Sequence, residues 1–375
     1  MSKKSVVIIG SAWPLRGGLA AYNERLASEF QKRGWDVTIE TFSLQYPGFL
    51  FPGKTQYADW DAPDDLKISE SVNSVNPFNW LSVGRRLRKQ RPDLVIIKYW
   101  LPFMGPCFGT IARQIKKNRH SRIITILDNI IPHEKRMGDR AFTKYFVKPV
   151  DGFVAMSKSV LQDTHQFDTK KPRVFCPHPL YDNFGDKIEK GTAREHLGLD
   201  PDQSYILFFG FIRDYKGLDL LIEAFADERF RARKIKLLVA GEFYTDSAPY
   251  LSLIQKYRLT GSIVLRTDFI PDAEVRYYFS ASDLVVQPYK SATQSGISQI
   301  AYHFDKPMVV TNVGGLPEIV PDGQVGYVVK QDAKDIADAI LRYFEQDMEQ
   351  EFAQNMAEEK KKYGWDRMAR VIEDL

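Results

Sequence analysis

Short, nearly uninterrupted apolar runs alternate along this chain with stretches whose apolar residues recur at helical spacing, and no other feature constrains the fold as much. In the first half the runs are residues 6–10, 36–42, 93–99, 122–127, 152–157 and 173–176. Residues 19–33 and 108–118 are the clearest helices between them. A strand that is apolar throughout must be covered on both faces, which predicts parallel sheets flanked by helices. The pattern lapses over 177–192, a Pro-, Asp- and Gly-containing stretch that reads as a connection. It restarts with runs at 205–210, 235–241, 263–269, 283–288, 307–312 and 326–330. The expectation is an α/β chain of two Rossmann-like, doubly wound domains facing across a cleft. Residues 1–180 form the first, 181–192 a linker and 193–362 the second. A final amphipathic helix is expected over 365–375.

The 375 residues are enough for two cores, and 44% hydrophobic with 27% charged residues is a soluble globular profile. The start, Met-Ser-Lys-Lys-Ser, runs straight into an apolar strand, and no apolar run reaches 18 residues, so neither a signal peptide nor a membrane span is expected. Cys107 and Cys176 offer no metal-ligand spacing and no disulfide framework. A cytoplasmic protein is the expectation. Charge is divided unevenly: residues 1–180 hold 28 Lys and Arg against 16 Asp and Glu, whereas residues 181–375 hold 24 against 32. Balances of +12 and −8 suit halves that meet different partners, or opposite charges that help two domains associate.

Ligands of open α/β sheets sit beyond the carboxyl ends of the strands, so the loops there carry the chemistry. One loop, Gly210-Phe-Ile-Arg213-Asp-Tyr-Lys216-Gly217, opens a helix over 218–225. Cations are electrostatically disfavoured at a helix N-terminus, and a docked phosphate reverses that sign. The alternative is two solvated cations with Asp214 and Asp219 as partners. A second loop carries Thr293, Gln294, Ser295 and Gly296 before a helix over 297–304. Small residues there suit phosphate oxygens, or a simple N-cap. In the first half, Gly10-Ser-Ala-Trp-Pro-Leu-Arg-Gly17-Gly18 leads into a helix, and the paired glycines permit close backbone approach to a ligand. It fails as a dinucleotide fingerprint, since Trp13-Pro14 stands where a Gly-rich turn belongs. The letters Gly48-Phe-Leu-Phe-Pro-Gly53-Lys54-Thr55 fit the P-loop expression, but bulky residues and the N–H-lacking Pro52 cannot cradle phosphates.

Across nearly its whole length the chain resembles the retaining GT-B glycosyltransferases of the group 1 (family 4) class. The strongest piece is Lys306-Pro-Met-Val-Val-Thr-Asn-Val-Gly-Gly-Leu-Pro-Glu-Ile-Val320, with Asp322-Gly323 and Gly326 after it. The loop from Gly210 to Gly217 looks like the family's phosphate-binding loop, Gly241-Glu242 like its post-strand nucleotide loop, Gly17-Gly18 like its N-terminal glycine pair, and Tyr363-Gly-Trp365 with the helix within 363–375 like the segment that packs back onto the first domain. The family usually places two glutamates eight positions apart around the donor. Counted back from Lys306-Pro307 without gaps, those positions are Ala292 and Ile300, and Thr293, Gln294 and Gln299 are the nearby substitutes. The family's histidine after the fourth strand corresponds to Asp128 in Leu127-Asp-Asn-Ile-Ile-Pro-His133-Glu134. His133 either shares that role or is an ordinary surface histidine.

The resemblance implies hexosyl transfer, with retention, from a nucleoside-diphosphate sugar to a glycan or lipid-linked acceptor in polysaccharide biosynthesis. The donor is a substrate, and no separate cofactor is expected. No His/carboxylate cluster is visible, so metal-independent catalysis is expected, with Arg213 and Lys216 offsetting the leaving diphosphate's charge. Asp128 is the candidate base. The basic first half, with clusters at 85–89, 113–117 and 135–136 and apolar loops at 49–51 and 100–103, suggests peripheral contact with an anionic membrane. No nucleic-acid partner is expected. The missing glutamates motivate one rival, a catalytically silent scaffold of the same fold. An NAD-dependent oxidoreductase is a second, lacking both fingerprint and ribose-binding acid.

Overall fold

The computed structural model describes residues 3–48, 55–58, 60–132, 136–293 and 295–375. They form two compact units, one running to Pro179 and joined by Gly364–Leu375, the other spanning Leu180–Tyr363. The first unit holds strands β1 (Ser5–Ile9), β2 (Asp36–Leu44), β3 (Ile68–Asn73), β4 (Leu94–Tyr99), β5 (Arg122–Leu127), β6 (Gly152–Ala155) and β7 (Arg173–Phe175). They are all parallel, in the order β3-β2-β1-β4-β5-β6-β7. The second unit holds β8 (Ser204–Phe209), β9 (Ile235–Ala240), β10 (Ile263–Arg266), β11 (Leu284–Gln287), β12 (Met308–Thr311) and β13 (Gly326–Val329). These are parallel in the order β10-β9-β8-β11-β12-β13. Strand order reverses between β1 and β4, and again between β8 and β11. Loops diverge at such points and leave a crevice at the carboxyl ends of the strands.

Continuous apolar runs become the central strands because both faces are covered. All six residues of β4 are buried. Its Val95 and Ile97 belong to a core with Val83 and Leu87 of helix Pro77–Gln90, Phe108 and Ile111 of helix Gly105–Lys116, and Phe146 of helix Asp139–Val147. These three helices follow crossovers in one direction along the sheet. Helix Gly18–Lys32 follows a crossover in the other, so the right-handed rule sets it on the opposite face. The closing helix Trp365–Asp374 buries Trp365, Met368, Ala369 and Ile372 and belongs to this same unit. Its Trp365 ring lies 5.0 Å from that of Tyr22, and Glu373 pairs with Arg33 and accepts from Trp35 Nε1 at 2.7 Å.

Three elements fall outside the expectation. Strand β3 reads Ile-Ser-Glu-Ser-Val-Asn, whose half-polar pattern suits an edge strand covered incompletely. Helix Pro77–Gln90 starts at a polar cap, where Asn76 accepts from the backbone N–H of Phe78 at 3.0 Å and of Asn79 at 3.3 Å. Helix Lys190–His196 begins inside the stretch expected to be a linker, with the Glu189 carboxylate accepting from Thr192 N at 2.8 Å.

That helix is fastened to the second sheet through Asp283, directly before β11. The Asp283 carboxylate accepts from Lys190 Nζ at 2.7 Å, Arg194 Nη2 at 2.9 Å and the Tyr205 backbone N–H at 2.7 Å. Removing one member of such a buried network leaves the others uncompensated. Asp283→Ala is therefore expected to destabilise the second unit by about 3–5 kcal/mol in denaturant unfolding. A change within about 0.5 kcal/mol, the ordinary range of surface substitutions, would show that the network contributes nothing net.

Candidate functional site

The loop after β8 is locked to the loop after β11. Gly217, with φ +70, follows the 3-10 turn Asp214–Lys216 and sits where an added Cβ would lie 1.9 Å from the carbonyl oxygen of Pro288. No larger residue fits that approach. Lys290 N–H donates to the carbonyl of Tyr215 at 2.7 Å, and Lys290 Nζ pairs with Asp214 at 2.7 Å and Asp219 at 2.8 Å. The carboxylates that could have served Arg213 and Lys216 are thus held by a third cation. The loop after β9 joins the same assembly. Gly241, φ +142, places its backbone so close to Gly210 that a Cβ would come within 2.3 Å of the Gly210 oxygen. The carbonyl of the buried Glu242 accepts from Ile212 N at 2.8 Å.

Within this frame Lys216 is buried, its Nζ 3.1 Å from where a Gly210 Cβ would sit and 5.9 Å from the centre of the Tyr289 ring. Among the described residues no carboxylate or carbonyl accepts from it. Burial, and then the neighbouring charge of Arg213, push its ammonium down to about 7. Arg213 is exposed, with its guanidinium 4.8 Å from the centre of the Tyr244 ring. Two cations are brought together here with no counter-charge among the described residues, an arrangement whose electrostatics favour an anion.

The second donor-side loop leads into helix Gly296–His303. Thr293 is half-buried, whereas Ser295 is buried with its hydroxyl 3.4 Å from that of Tyr289. Gln294 lies outside the described residues. A Cβ added at Gly296 would fall 2.8 Å from the Tyr181 ring, so enlarging this residue disturbs an internal contact and says nothing of a ligand. Ala292 and Ile300, at the positions where the family carries glutamates, are buried and apolar. Gln299, next to Ile300, is fully buried, and neither its Nε2 nor its Oε1 meets a partner among the described residues. Buried amides are almost always bonded, which sets Gln299 apart from the other buried side chains of this helix.

In the first unit Gly17 caps helix Gly18–Lys32 with φ +101, and its carbonyl accepts from Ala20 N at 3.0 Å. The preceding loop is pinned by Trp13 N–H, which donates to the Glu24 carboxylate at 2.7 Å. Asp128 follows β5 and is engaged in an ion pair: Lys98 Nζ donates to its Oδ1 at 2.8 Å. Lys98 is wholly buried within β4, with Nζ 3.5 Å from the centre of the Tyr22 ring. The His178 ring meets that of Tyr22 edge-on, with centres 5.0 Å apart, and bonds Pro179 O through Nδ1 at 2.7 Å. Burial and then the charge of Lys98 push His178 down to about 3, so it is neutral at physiological pH. His133 lies outside the described residues, as does most of the 48–55 segment. Sequence reasoning passed over Lys98 and His178. The signal for Lys98 was present, since it is the lone charge inside Leu-Val-Ile-Ile-Lys-Tyr. Among the described residues no group of three or more His, Cys, Asp or Glu is placed to hold a metal ion.

Comparison with known proteins accords with this geometry. Residues 189–363 match the family model of glycosyl transferases group 1, and residues 16–178 that of glycosyltransferase family 4. The chain is 24% identical over 363 residues to the putative teichuronic acid biosynthesis glycosyltransferase TuaC of Bacillus subtilis, covering 90% of this chain and 88% of that one. It is 26% identical over 352 residues to the lipopolysaccharide 1,2-N-acetylglucosaminetransferase of Salmonella typhimurium, covering 88% and 82%. Among solved structures, Anabaena Alr3699/HepE in complex with UDP superposes with a TM-score of 0.75 at 15% identity, over 99% of this chain and 100% of that one. With parallel sheets whose switch-point loops converge as described, and with one match for each half, the chain belongs to the group 1 glycosyltransferases of the GT-B fold.

Proposed function

We propose that this protein transfers a hexosyl unit from a nucleoside-diphosphate sugar, held at the carboxyl ends of β8 and β11, to a glycan or lipid-linked acceptor. The observation that carries this reading is the buried ammonium of Lys216 beside Arg213, with no acceptor among the described residues, in a frame built by Gly210, Gly217 and Gly241. A diphosphate bridging the two cations restores the balance that burial removes, and offsets charge developing on the leaving group without a metal. UDP in the Anabaena structure supports a donor of this class. The names of the Bacillus and Salmonella relatives, teichuronic acid biosynthesis and lipopolysaccharide, support a surface-glycan or lipid-linked acceptor. Retention of configuration rests on the family resemblance. Gln299, with Thr293, Gln294 and Ser295, takes the place of the absent glutamates towards donor hydroxyls. Asp128, already bonded to Lys98, contributes fixed charge and positioning in place of a free base. Release of nucleoside diphosphate from a panel of nucleotide sugars by the purified protein is the direct test. A protein that binds these donors but never turns them over, with acceptor extracts present, is a silent scaffold.

Lys216→Met is expected to weaken nucleotide-sugar binding by about 1.5–3 kcal/mol while leaving the fold intact. In the unliganded protein Lys216 loses its proton as pH rises through about 7, whereas a bound diphosphate holds the proton on. Affinity should therefore be highest below that pH and decline above it. The nucleotide sugar's diphosphate diester does not itself titrate there. Calorimetric titrations showing equal pH dependence in wild type and Lys216→Met would remove Lys216 from the diphosphate site.

Gln299→Leu provides a second, two-sided test. Replacing an unpartnered buried amide with an apolar side chain should leave the unliganded protein as stable or more so, yet lower nucleotide-sugar affinity severalfold. Unchanged affinity in the variant would detach Gln299 from the donor.

A further inference from the structure

The pairing of β8 with β9 resumes beyond the ends of both strands. Ile212 N–H donates to the carbonyl of Glu242 at 2.8 Å and Tyr244 N–H to the carbonyl of Ile212 at 3.0 Å, which sets Ile212 opposite Phe243 in a parallel bridge. Side chains alternate between faces along such a ladder. Ile212 and Phe243 turn into the core of the second unit, where Ile212 is fully buried and the Phe243 ring lies 5.6 Å from that of Tyr250. The next pair, Arg213 and Tyr244, is thereby turned to the opposite face, and so is Phe211 one step before. The Arg213 guanidinium stands over the Tyr244 ring, 4.8 Å from its centre. The half-buried Phe211 ring packs on that of Tyr244 with centres 4.1 Å apart.

An exposed arginine ordinarily samples many rotamers, and any bond it makes to a ligand must first offset that freedom. A carboxylate partner would restrain the side chain but would also cancel its charge. Asp214 and Asp219 are held by Lys290, and among the described residues no carboxylate pairs with Arg213 and no acceptor bonds its N–H groups. An aromatic face restrains a guanidinium through its quadrupole and leaves both the charge and the N–H edge in place.

We propose that Tyr244 is a positioning residue for the diphosphate: its ring, backed by Phe211, holds the Arg213 guanidinium beside Lys216 before the ligand arrives. The inference rests on the reading of Arg213 and Lys216 as the anion site and adds to it a residue that acts through Arg213. The two cations are close enough for the charge of Arg213 to be the second cause, after burial, of the lowered Lys216 pKa. Holding like charges together raises the free energy of the unliganded protein, and an anion relieves it on binding, which is preorganisation in electrostatic form. A ring at this place could instead stack on the nucleoside's base, and the experiment separates the two roles.

The test is a double-mutant cycle in the full chain, read by calorimetric titration with inorganic pyrophosphate, which carries two phosphates and neither base nor sugar. Thermal melting is followed in parallel. Arg213→Met should weaken pyrophosphate binding by about tenfold or more. Tyr244→Leu should weaken it by about two- to fivefold in the wild-type background and have no effect in the Arg213→Met background. Tyr244→Phe, which keeps the ring, should bind as wild type does. A ring that merely supports the loop would cost the same in both backgrounds, and that result overturns the inference. So does unchanged affinity in Tyr244→Leu, or a loss in Tyr244→Phe equal to that in Tyr244→Leu. A Tyr244→Leu loss seen with UDP and absent with pyrophosphate assigns the ring to the base and overturns it as well. In each of those cases, a persisting loss in Arg213→Met and Lys216→Met leaves the diphosphate site standing. Full pyrophosphate affinity in both of these variants removes the site itself, and the positioning role with it.

Discussion

The loop assembly at the carboxyl ends of β8 and β11 depends on one steric contact, the approach of Gly217 to the carbonyl of Pro288. It can form only because Gly217 has no Cβ and takes φ +70. The contact sets the turn carrying Lys216 against the strand-end loop of β11. The Lys290 bridge to Asp214 and Asp219 then fastens it electrostatically. Lys216 is carried into the interior as a consequence of that docking, and the carboxylates able to neutralise it are spent on Lys290. Its desolvation is therefore built into the loop geometry, and that is what makes the position responsive to an anion.

The first unit shows how the same kind of group behaves when it is satisfied. Lys98 is as deeply buried as Lys216, but the Asp128 carboxylate meets it at 2.8 Å and the Tyr22 ring covers it at 3.5 Å. A buried ion pair of this kind contributes little net stability, because desolvation offsets most of the Coulomb attraction, yet breaking it is costly. It fixes Asp128 at the end of β5, and the charge of Lys98 adds to burial in keeping His178 neutral. Lys98 thus engages Asp128 at the position where the family carries its histidine.

Much of the fold was legible because its central strands are apolar on both faces. Runs such as Leu94–Tyr99 and Ile235–Ala240 announce a covered parallel sheet with hardly a polar interruption. The edge strand Ile68–Asn73 was not, since an edge needs only one partner and carries Ser, Glu and Asn at little cost. Helix Lys190–His196 escaped for a related reason: its stability comes from Lys190 and Arg194 meeting Asp283, about ninety positions away, and local spacing carries no trace of that. On the donor side, glycines and cations at strand ends were readable one by one. The pairing of Lys290 with both carboxylates was not, although it decides whether Lys216 is a solvated cation or a buried one.

Gln299 carries the argument over the missing glutamates furthest. The substitution of Ala292 and Ile300 removes two charged acceptors from helix Gly296–His303 and its approach, but does not make the neighbourhood apolar. A fully buried amide beside Ile300, unpartnered at both ends among the described residues, costs stability in the unliganded protein. Side chains of that kind persist where a ligand supplies the missing bonds. An amide also differs from a carboxylate in offering a donor as well as an acceptor, so it can satisfy a sugar hydroxyl in either sense without adding negative charge close to a diphosphate. Loss of the glutamates therefore changes the chemistry by which hydroxyls are held, while the anion-binding arrangement at Arg213 and Lys216 stands apart from it.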